Sequence, residues 1–247
     1  MDKNNLTINL TDISFSYPDG DPVFDKLNFQ FYKGSRIGLM GPNGSGKTTL
    51  FHIIMGLLRP SSGRIEIFGR PVRKEKDFRI VRGRIGLLFQ DADDQLFSPT
   101  VLEDVAFGPL NLGKSHDEAI DIAGKTLEFL GLTGLKERIT YKLSGGEKRL
   151  VSLATVLSME PEILLLDEPT TGLDNRTKAR LIEVLSNLDL SWILISHEIE
   201  FLAGLSDSIY TIENRRILSD KKVHIHQHLH AHAHGSYSHE HKGPGNK

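Results

Sequence analysis

Apolar and polar positions alternate at the start of the chain. Leu6, Ile8 and Leu10 mark one face, and after a one-residue slip Ile13, Phe15 and Tyr17 continue the pattern. Period two predicts half-buried strands, and Tyr17-Pro18-Asp19-Gly20 is turn chemistry. Leu27, Phe29 and Phe31 alternate again, so the first 40 residues read as short strands ending at Arg36 to Met40, before a glycine-rich stretch. Lys47 to Leu57 predicts a helix, closed by Arg59-Pro60-Ser61-Ser62-Gly63, and further strands are expected at Arg64 to Phe68 and Ile85 to Phe89. From Asp91 to Pro161 the pattern is helical, with capping-box spacings at Ser115/Glu118 and Ser144/Glu147. Strand–helix alternation then returns: Ile163 to Asp167, a helix through Arg180, Trp192 to Ser196, and short strands near Ile209 and Ile217. The last 25 residues carry no core pattern.

Composition narrows the classes. The 247 residues are 38% apolar and 25% charged with a formal charge of -2, so no large overall cationic field argues for nucleic acid or an anionic membrane surface. The absence of Cys excludes disulfides, iron–sulfur clusters, thiolate zinc sites and a cysteine nucleophile. Apolar runs such as Ile163 to Leu166 are far shorter than the roughly 20 residues of a membrane span, and no signal-peptide pattern opens the chain. The expectation is a soluble, cytosolic protein. Eight of the 11 histidines lie between His224 and His241.

Gly41-Pro42-Asn43-Gly44-Ser45-Gly46-Lys47-Thr48 satisfies G-x-x-x-x-G-K-[ST], with a strand before and a helix after. Glycines let successive N–H groups converge on one anion, and the helix N-terminus adds its dipole. Lys47 can reach the β- and γ-phosphates of a nucleotide, and the Thr48 hydroxyl can ligate Mg²⁺. Ile163-Leu164-Leu165-Leu166-Asp167-Glu168 supplies the complement, an apolar strand ending in acid. Asp167 is where a Mg²⁺ partner belongs, and Glu168, pointing differently by strand alternation, is the candidate to orient and deprotonate water.

With these motifs placed, the sequence resembles the ATP-binding cassette (ABC) ATPases from about residue 5 to 222. The most specific likeness is Leu143-Ser144-Gly145-Gly146-Glu147, similar to the family's LSGGQ signature with Glu for Gln. By residue chemistry alone it is a capped helix N-terminus, which is compatible with phosphate binding. The resemblance implies an α/β fold: a P-loop NTPase (RecA-like) core with an antiparallel β subdomain and a helical insertion. It implies a nucleotide-binding lobe over 1–90 and 161–222, a helical signature subdomain over 91–160, and a histidine-rich tail over 223–247 expected to be disordered. It also implies a head-to-tail dimer, identical or paralogous, in which Ser144, Gly145 and Gly146 face the γ-phosphate bound by the other copy.

Further roles follow from the same resemblance. Tyr17 stacks on adenine (alone it reads as a packed turn residue), and Thr49 belongs with Gly41 to Thr48 in the ATP site. Gln90 is the Q-loop residue, sharing Mg²⁺ with Thr48 and Asp167. Asp174, in Gly172-Leu173-Asp174, belongs to the D-loop. His197 is the switch histidine, although a lone His at a strand end is more often an ordinary surface residue. Lys47, Glu168 and His197 form the catalytic set. Phe89-Gln90-Asp91-Ala92-Asp93-Asp94-Gln95-Leu96-Phe97, followed by Val101 and Asp104-Val105-Ala106-Phe107-Gly108-Pro109, is similar to the energy-coupling factor (ECF) group, especially its cobalt and nickel importers. That implies ATP hydrolysis to ADP and phosphate at the cytoplasmic face of the membrane, coupled to integral transmembrane and substrate-capture subunits. Leu96, Phe97, Val101, Val105 and Phe107 are then a docking set, or alternatively pack only within the helical lobe.

His224, His226, His228, His230, His232 and His234 recur every second residue, followed by His239 and His241. In an extended chain six imidazoles share one side and suit Ni²⁺, Co²⁺, Zn²⁺ or Cu²⁺, and the spacing does not choose among them. A purification tag and a solvated tail are the other readings. The leading function is a metal-transport motor; uptake of another substrate such as a vitamin is the alternative, with the tail as metal buffer or sensor. A DNA-acting cassette is disfavoured because 97 positions (144 minus 47) between Lys47 and Ser144 leave no room for a long coiled coil.

Overall fold

The structure is a computed structural model that describes residues 5–219, so the histidine tail lies outside the described residues. An antiparallel sheet is formed by β1 (Leu6–Ser16), β2 (Pro22–Tyr32), β4 (Ser62–Ile67) and β5 (Arg70–Pro71) in the order β2-β1-β4-β5. The slip in the sequence pattern is a β-bulge. Leu10 and Ile13 are both buried, Asp12 between them takes φ 52°, and the pairing with β2 shifts there. An extra residue re-phases the alternation without ending the ladder, so one bent strand of 11 residues replaces the expected short ones.

The second sheet has the order β10-β9-β3-β8-β7-β6, with β3 Arg36–Met40, β6 Ile85–Leu88, β7 Ile163–Asp167, β8 Ser191–Ile195, β9 Ser208–Glu213 and β10 Arg216–Ser219. β9, β3, β8, β7 and β6 are mutually parallel; β10 returns antiparallel along β9. β7 is buried at all five positions because it separates two cores. Ile163 and Leu165 pack with the antiparallel sheet and α1 (Lys47–Ile54), while Leu164 and Leu166 pack with the helical region. A strand covered on both faces loses its polar positions, hence the unbroken apolar run.

α1 ends earlier than the predicted Lys47 to Leu57. Gly56 follows at φ 70°, and a Cβ there would lie 2.3 Å from the Phe78 ring, so the turn that stops the helix admits only glycine. α2 (Glu75–Arg82) was not expected from the sequence. α3 (Val101–Asn111), α4 (His116–Phe129) and α5 (Gly145–Leu157) each start with a capping box, on Thr100, Ser115 and Ser144. α6 (Asn175–Asn187) follows β7, and α7 (Ile199–Leu205) follows β8.

The expected docking set divides. Val101 and Val105, one turn apart on the inward face of α3, are fully buried in the helical core. Phe97 and Phe107 remain exposed and meet edge-to-face with ring centroids 4.7 Å apart. Among the described residues no helix is long and apolar enough to cross a membrane.

Candidate active site

Strand register gathers the motifs. Leu39 of β3 pairs with Ile195 of β8, Ile195 pairs with Asp167 of β7, and Leu88 of β6 pairs with Leu166. The chain therefore leaves four parallel strands at one edge, delivering Gly41, Ser196, Glu168 and Phe89 to the crest where open α/β sheets bind ligands. Between β3 and α1 the loop curls through Gly41, Gly44 and Gly46 at φ 153°, 77° and 102°. A Cβ on Gly46 would lie 2.8 Å from the Phe24 ring, so the loop passes closely over β2. Among the described residues no side chain caps α1, which leaves its first N–H groups facing the loop's concavity. Lys47 is buried and its Nζ donates to the carbonyls of Gly41 (2.9 Å) and Pro42 (3.2 Å). Burial lowers its pKa, and the nearby carboxylates of Glu168 and Asp167 oppose that shift.

Asp167 and Glu168 are both buried. Asp167 Oδ1 has no hydrogen-bond partner among the described residues. Burial raises the Asp167 pKa, against opposing effects of the Thr48 hydroxyl and then of His52, Lys47 and Arg149. An orphaned buried carboxylate oxygen beside a hydroxyl is a hard-oxygen donor set of the kind Mg²⁺ prefers, so these residues fit the ion. Glu168 turns off the strand at φ 46°, and its Oε1 lies 3.3 Å from Nε2 of the half-exposed His197 without hydrogen-bond alignment. His197 follows the fully buried Ser196. Glu198 braces this loop by accepting from Thr170 Oγ1 (2.8 Å), pairing with Lys178 of α6, and donating its N–H to Ser196 Oγ (3.1 Å).

The loop after β6 presents an exposed Gln90 and is gripped by α5. Arg149, 4% exposed, donates from Nη1 to Phe89 O (2.6 Å) and from Nη2 to Gln90 O. Burial lowers its pKa, while Asp91 and Asp167 act the other way. Gln95 accepts from Phe89 N (3.2 Å) and donates to Ser152 O (2.8 Å) and Thr155 Oγ1 (2.8 Å), and Lys148 pairs with Asp93. Arg149 and Glu198 were not singled out from the sequence, and Gln95 was noted there only as part of the Phe89 to Phe97 motif, with no role of its own. Their partners are mostly backbone carbonyls and distant hydroxyls, which leave no spacing signal.

An open cleft of about 840 Å³ runs from Thr48, His52, Gln90 and Asp167 to Leu143, Gly145 and Arg149. The structure thus brings one face of the P-loop helix, the Q-loop position and the signature turn to a common space. Ser144 and Gly145 are exposed. Ser144 caps α5, with its Oγ accepting from Glu147 N (3.3 Å) and Glu147 Oε2 accepting from Ser144 N (2.8 Å). The Ser144 N–H and then its hydroxyl, both donating to Glu147 Oε2, hold the Glu147 carboxyl's pKa below its ordinary value, so Glu at this position works as the acid of the capping box. Asp174 caps α6 by accepting from the N–H groups of Arg176 (2.9 Å) and Thr177 (3.0 Å). Gly146 approaches Thr177 so closely that a Cβ would lie 2.9 Å from its Oγ1. Tyr17 is 45% exposed, packs edge-on to Phe15 and places its hydroxyl 3.1 Å from Thr49 Oγ1, which ties the ring to the P-loop helix.

A glycine loop wrapped round a buried lysine, faced by an acid-tipped parallel strand, is the nucleotide-hydrolysing arrangement of P-loop proteins. More narrowly, residues 24–171 match the ABC transporter family, and the chain belongs to that family of ATPases. It is 42% identical over 217 residues to the energy-coupling factor transporter ATP-binding protein EcfA of Methanothermobacter thermautotrophicus, across 86% of this chain and 70% of that one. The structure of cbiO1 from Clostridium perfringens, described as part of the ABC transporter complex cbiONQ, matches with TM-score 0.77 and 34% identity over 87% of each chain. The bacterial ABC transporter cassette MJ0796, solved as a dimer, matches with TM-score 0.76 and 26% identity over 85% of this chain and 96% of its own.

Proposed function

We propose that this chain is the ATP-hydrolysing subunit of an ECF-type importer for a divalent transition metal, cobalt or nickel. The likeness to EcfA and to cbiO1 supports the importer class, and the histidine tail supports a metal as the substrate. Uptake of another substrate such as a vitamin, with the tail buffering or sensing metal, is the second reading. The chain acts as a homodimer or with a paralogous ATPase, held at the cytoplasmic face of the membrane by transmembrane and substrate-capture subunits. The division into 1–90 with 161–222, 91–160 and 223–247 is part of the same reading. Phe97 and Phe107, over a groove that also includes Met55, Leu57 and Met159, are the contact for a helix of the membrane subunit.

Gly41, Pro42, Asn43, Gly44, Ser45, Gly46, Lys47, Thr48 and Thr49 hold the phosphates, and Tyr17 offers its exposed ring to adenine. When ATP binds, Lys47 exchanges the loop carbonyls for phosphate oxygens. Thr48, Gln90 and Asp167 would hold Mg²⁺, which would supply charge neutralisation to the bound phosphates. Ser144, Gly145 and Gly146 of a second copy complete the γ-phosphate site, and Asp174 stands where the two copies meet. Glu168 accepts the proton of the attacking water, and His197 keeps that carboxylate and the γ-phosphate in line.

The observation carrying this reading is the buried Glu168 carboxylate with a free oxygen 3.3 Å from His197 and within electrostatic reach of Lys47. Glu168→Gln keeps the shape and removes the base. ATP should still bind and should drive dimerisation seen by size-exclusion chromatography, while phosphate release falls by about 100-fold or more. Unchanged turnover would remove Glu168 from the catalytic set.

A further inference from the structure

Residues 70–84 hold seven basic side chains against Glu75 and Asp77, a net charge of +5 in a chain whose total is -2. Both acids are engaged within the segment. Glu75 pairs with Arg82, and Asp77 Oδ2 accepts from the N–H groups of Arg73 (3.1 Å) and Lys74 (2.9 Å). Arg73, Lys76 and Arg79 are exposed and make no ion pair among the described residues. α2 seats Phe78 and Val81 in the core, and helical spacing sets Lys76, Arg79 and Ile80 together on the opposite face. Ile80 is 59% exposed. Leu112, 45% exposed, comes within 3.3 Å of where a Cβ on Gly83 would lie, and the exposed Lys114 follows it.

Ile80 and Leu112 thus both approach the turn at Gly83, with Lys76 and Arg79 beside Ile80 on α2, Lys114 two residues after Leu112, and both acids of residues 70–84 engaged. This face adjoins the Phe97/Phe107 groove, because Arg82 and Leu57 line that groove. We infer that the outer face of α2 is a contact for anionic lipid headgroups, with Lys76, Arg79 and Lys114 meeting phosphates and Ile80 and Leu112 reaching the acyl boundary. The inference rests on the transport reading only for its direction: a membrane subunit's helix in the groove turns this face toward the bilayer. Nucleic acid fits less well, since Ile80 and Leu112 give no aromatic platform for bases.

The test is co-sedimentation of the full chain, in chelator so that the histidines hold no metal, with vesicles of phosphatidylcholine alone and of phosphatidylcholine with phosphatidylglycerol. The protein should bind only the anionic vesicles and should release at high salt. The variant Lys76→Glu/Arg79→Glu/Ile80→Ser leaves Phe78 and Val81 in place, and should keep its ATPase rate while binding about tenfold or more weakly. Absence of binding, equal binding by the variant, or binding that single-stranded RNA competes away at equal charge would overturn the inference. No membrane subunit is in the assay, so its outcome is separate from that of Glu168→Gln.

Discussion

A carboxylate buried without a cation is costly, and Asp104 of α3 is such a group at 2% exposure. Its Oδ1 accepts from the N–H groups of Phe97 (3.2 Å) and Ser98 (2.8 Å), fixing the turn that displays Phe97, while Oδ2 has no partner among the described residues. Burial raises its pKa despite those bonds. An acid whose folded-state pKa lies above its unfolded one makes folding less favourable once ionised. That penalty is complete above the folded value and absent below the unfolded value near pH 4. Asp104→Asn preserves the accepting oxygen and abolishes the charge. Urea unfolding should find it more stable than the parent by about 1 kcal/mol at about pH 8, with the difference shrinking through about pH 4 and gone by about pH 3. A less stable variant at the higher pH would show that Oδ2 has a partner in the folded chain. At this scale the meeting of Lys47, Asp167 and Glu168 at one edge of the sheet was legible because their motifs set fixed residue types at fixed spacing beside strands. Arg149 was not: its value comes from two carbonyls about 60 positions away, brought near by the order of strands.

Capping explains why the helical region begins where it does, and it gives Ser144 two separable duties. The hydroxyl closes the first turn of α5 with Glu147, and under the proposed function it also meets the nucleotide of a second copy. Ser144→Ala should cost about 1 kcal/mol in chemical denaturation, the worth of an N-cap. Ser144→Asp caps equally well but sets a carboxylate before the incoming γ-phosphate. It should therefore retain near-parental stability and lose ATP-driven dimerisation; dimerisation undiminished in Ser144→Asp would deny the signature turn its role in trans. Elements with a cap or a clear period were legible, including β7 to the residue and the starts of α4 and α5. α2 was missed because only Phe78 and Val81 are buried among charges and its N-cap is Lys74, which carries no capping signal. The two short strands at the chain's start were one, because a bulge looks in sequence like a break.

Across the whole molecule, the order β10-β9-β3-β8-β7-β6 could not be read from the chain, since crossover order depends on which helices cover which face. That order decides where the tail departs. β9 runs parallel to β3 toward the nucleotide edge, and β10 returns beside it, Arg216 opposite Glu213 and Ser219 opposite Tyr210. At Ser219 the chain is heading away from the loops that bear Lys47, Glu168 and His197. Metal handling and ATP turnover should consequently separate on removal of residues 223–247. Three of the 11 histidines, His52, His116 and His197, would remain, and among the described residues no group of three or more His, Asp or Glu side chains is arranged to hold a metal. The truncated chain should keep its ATPase rate and ATP dependence within about twofold, while Ni²⁺ or Co²⁺ binding measured by calorimetry weakens by about tenfold or more. Metal binding that survives truncation would place the ligands on the cassette itself. Loss of ATP hydrolysis would mean that the tail contributes to the folded nucleotide lobe.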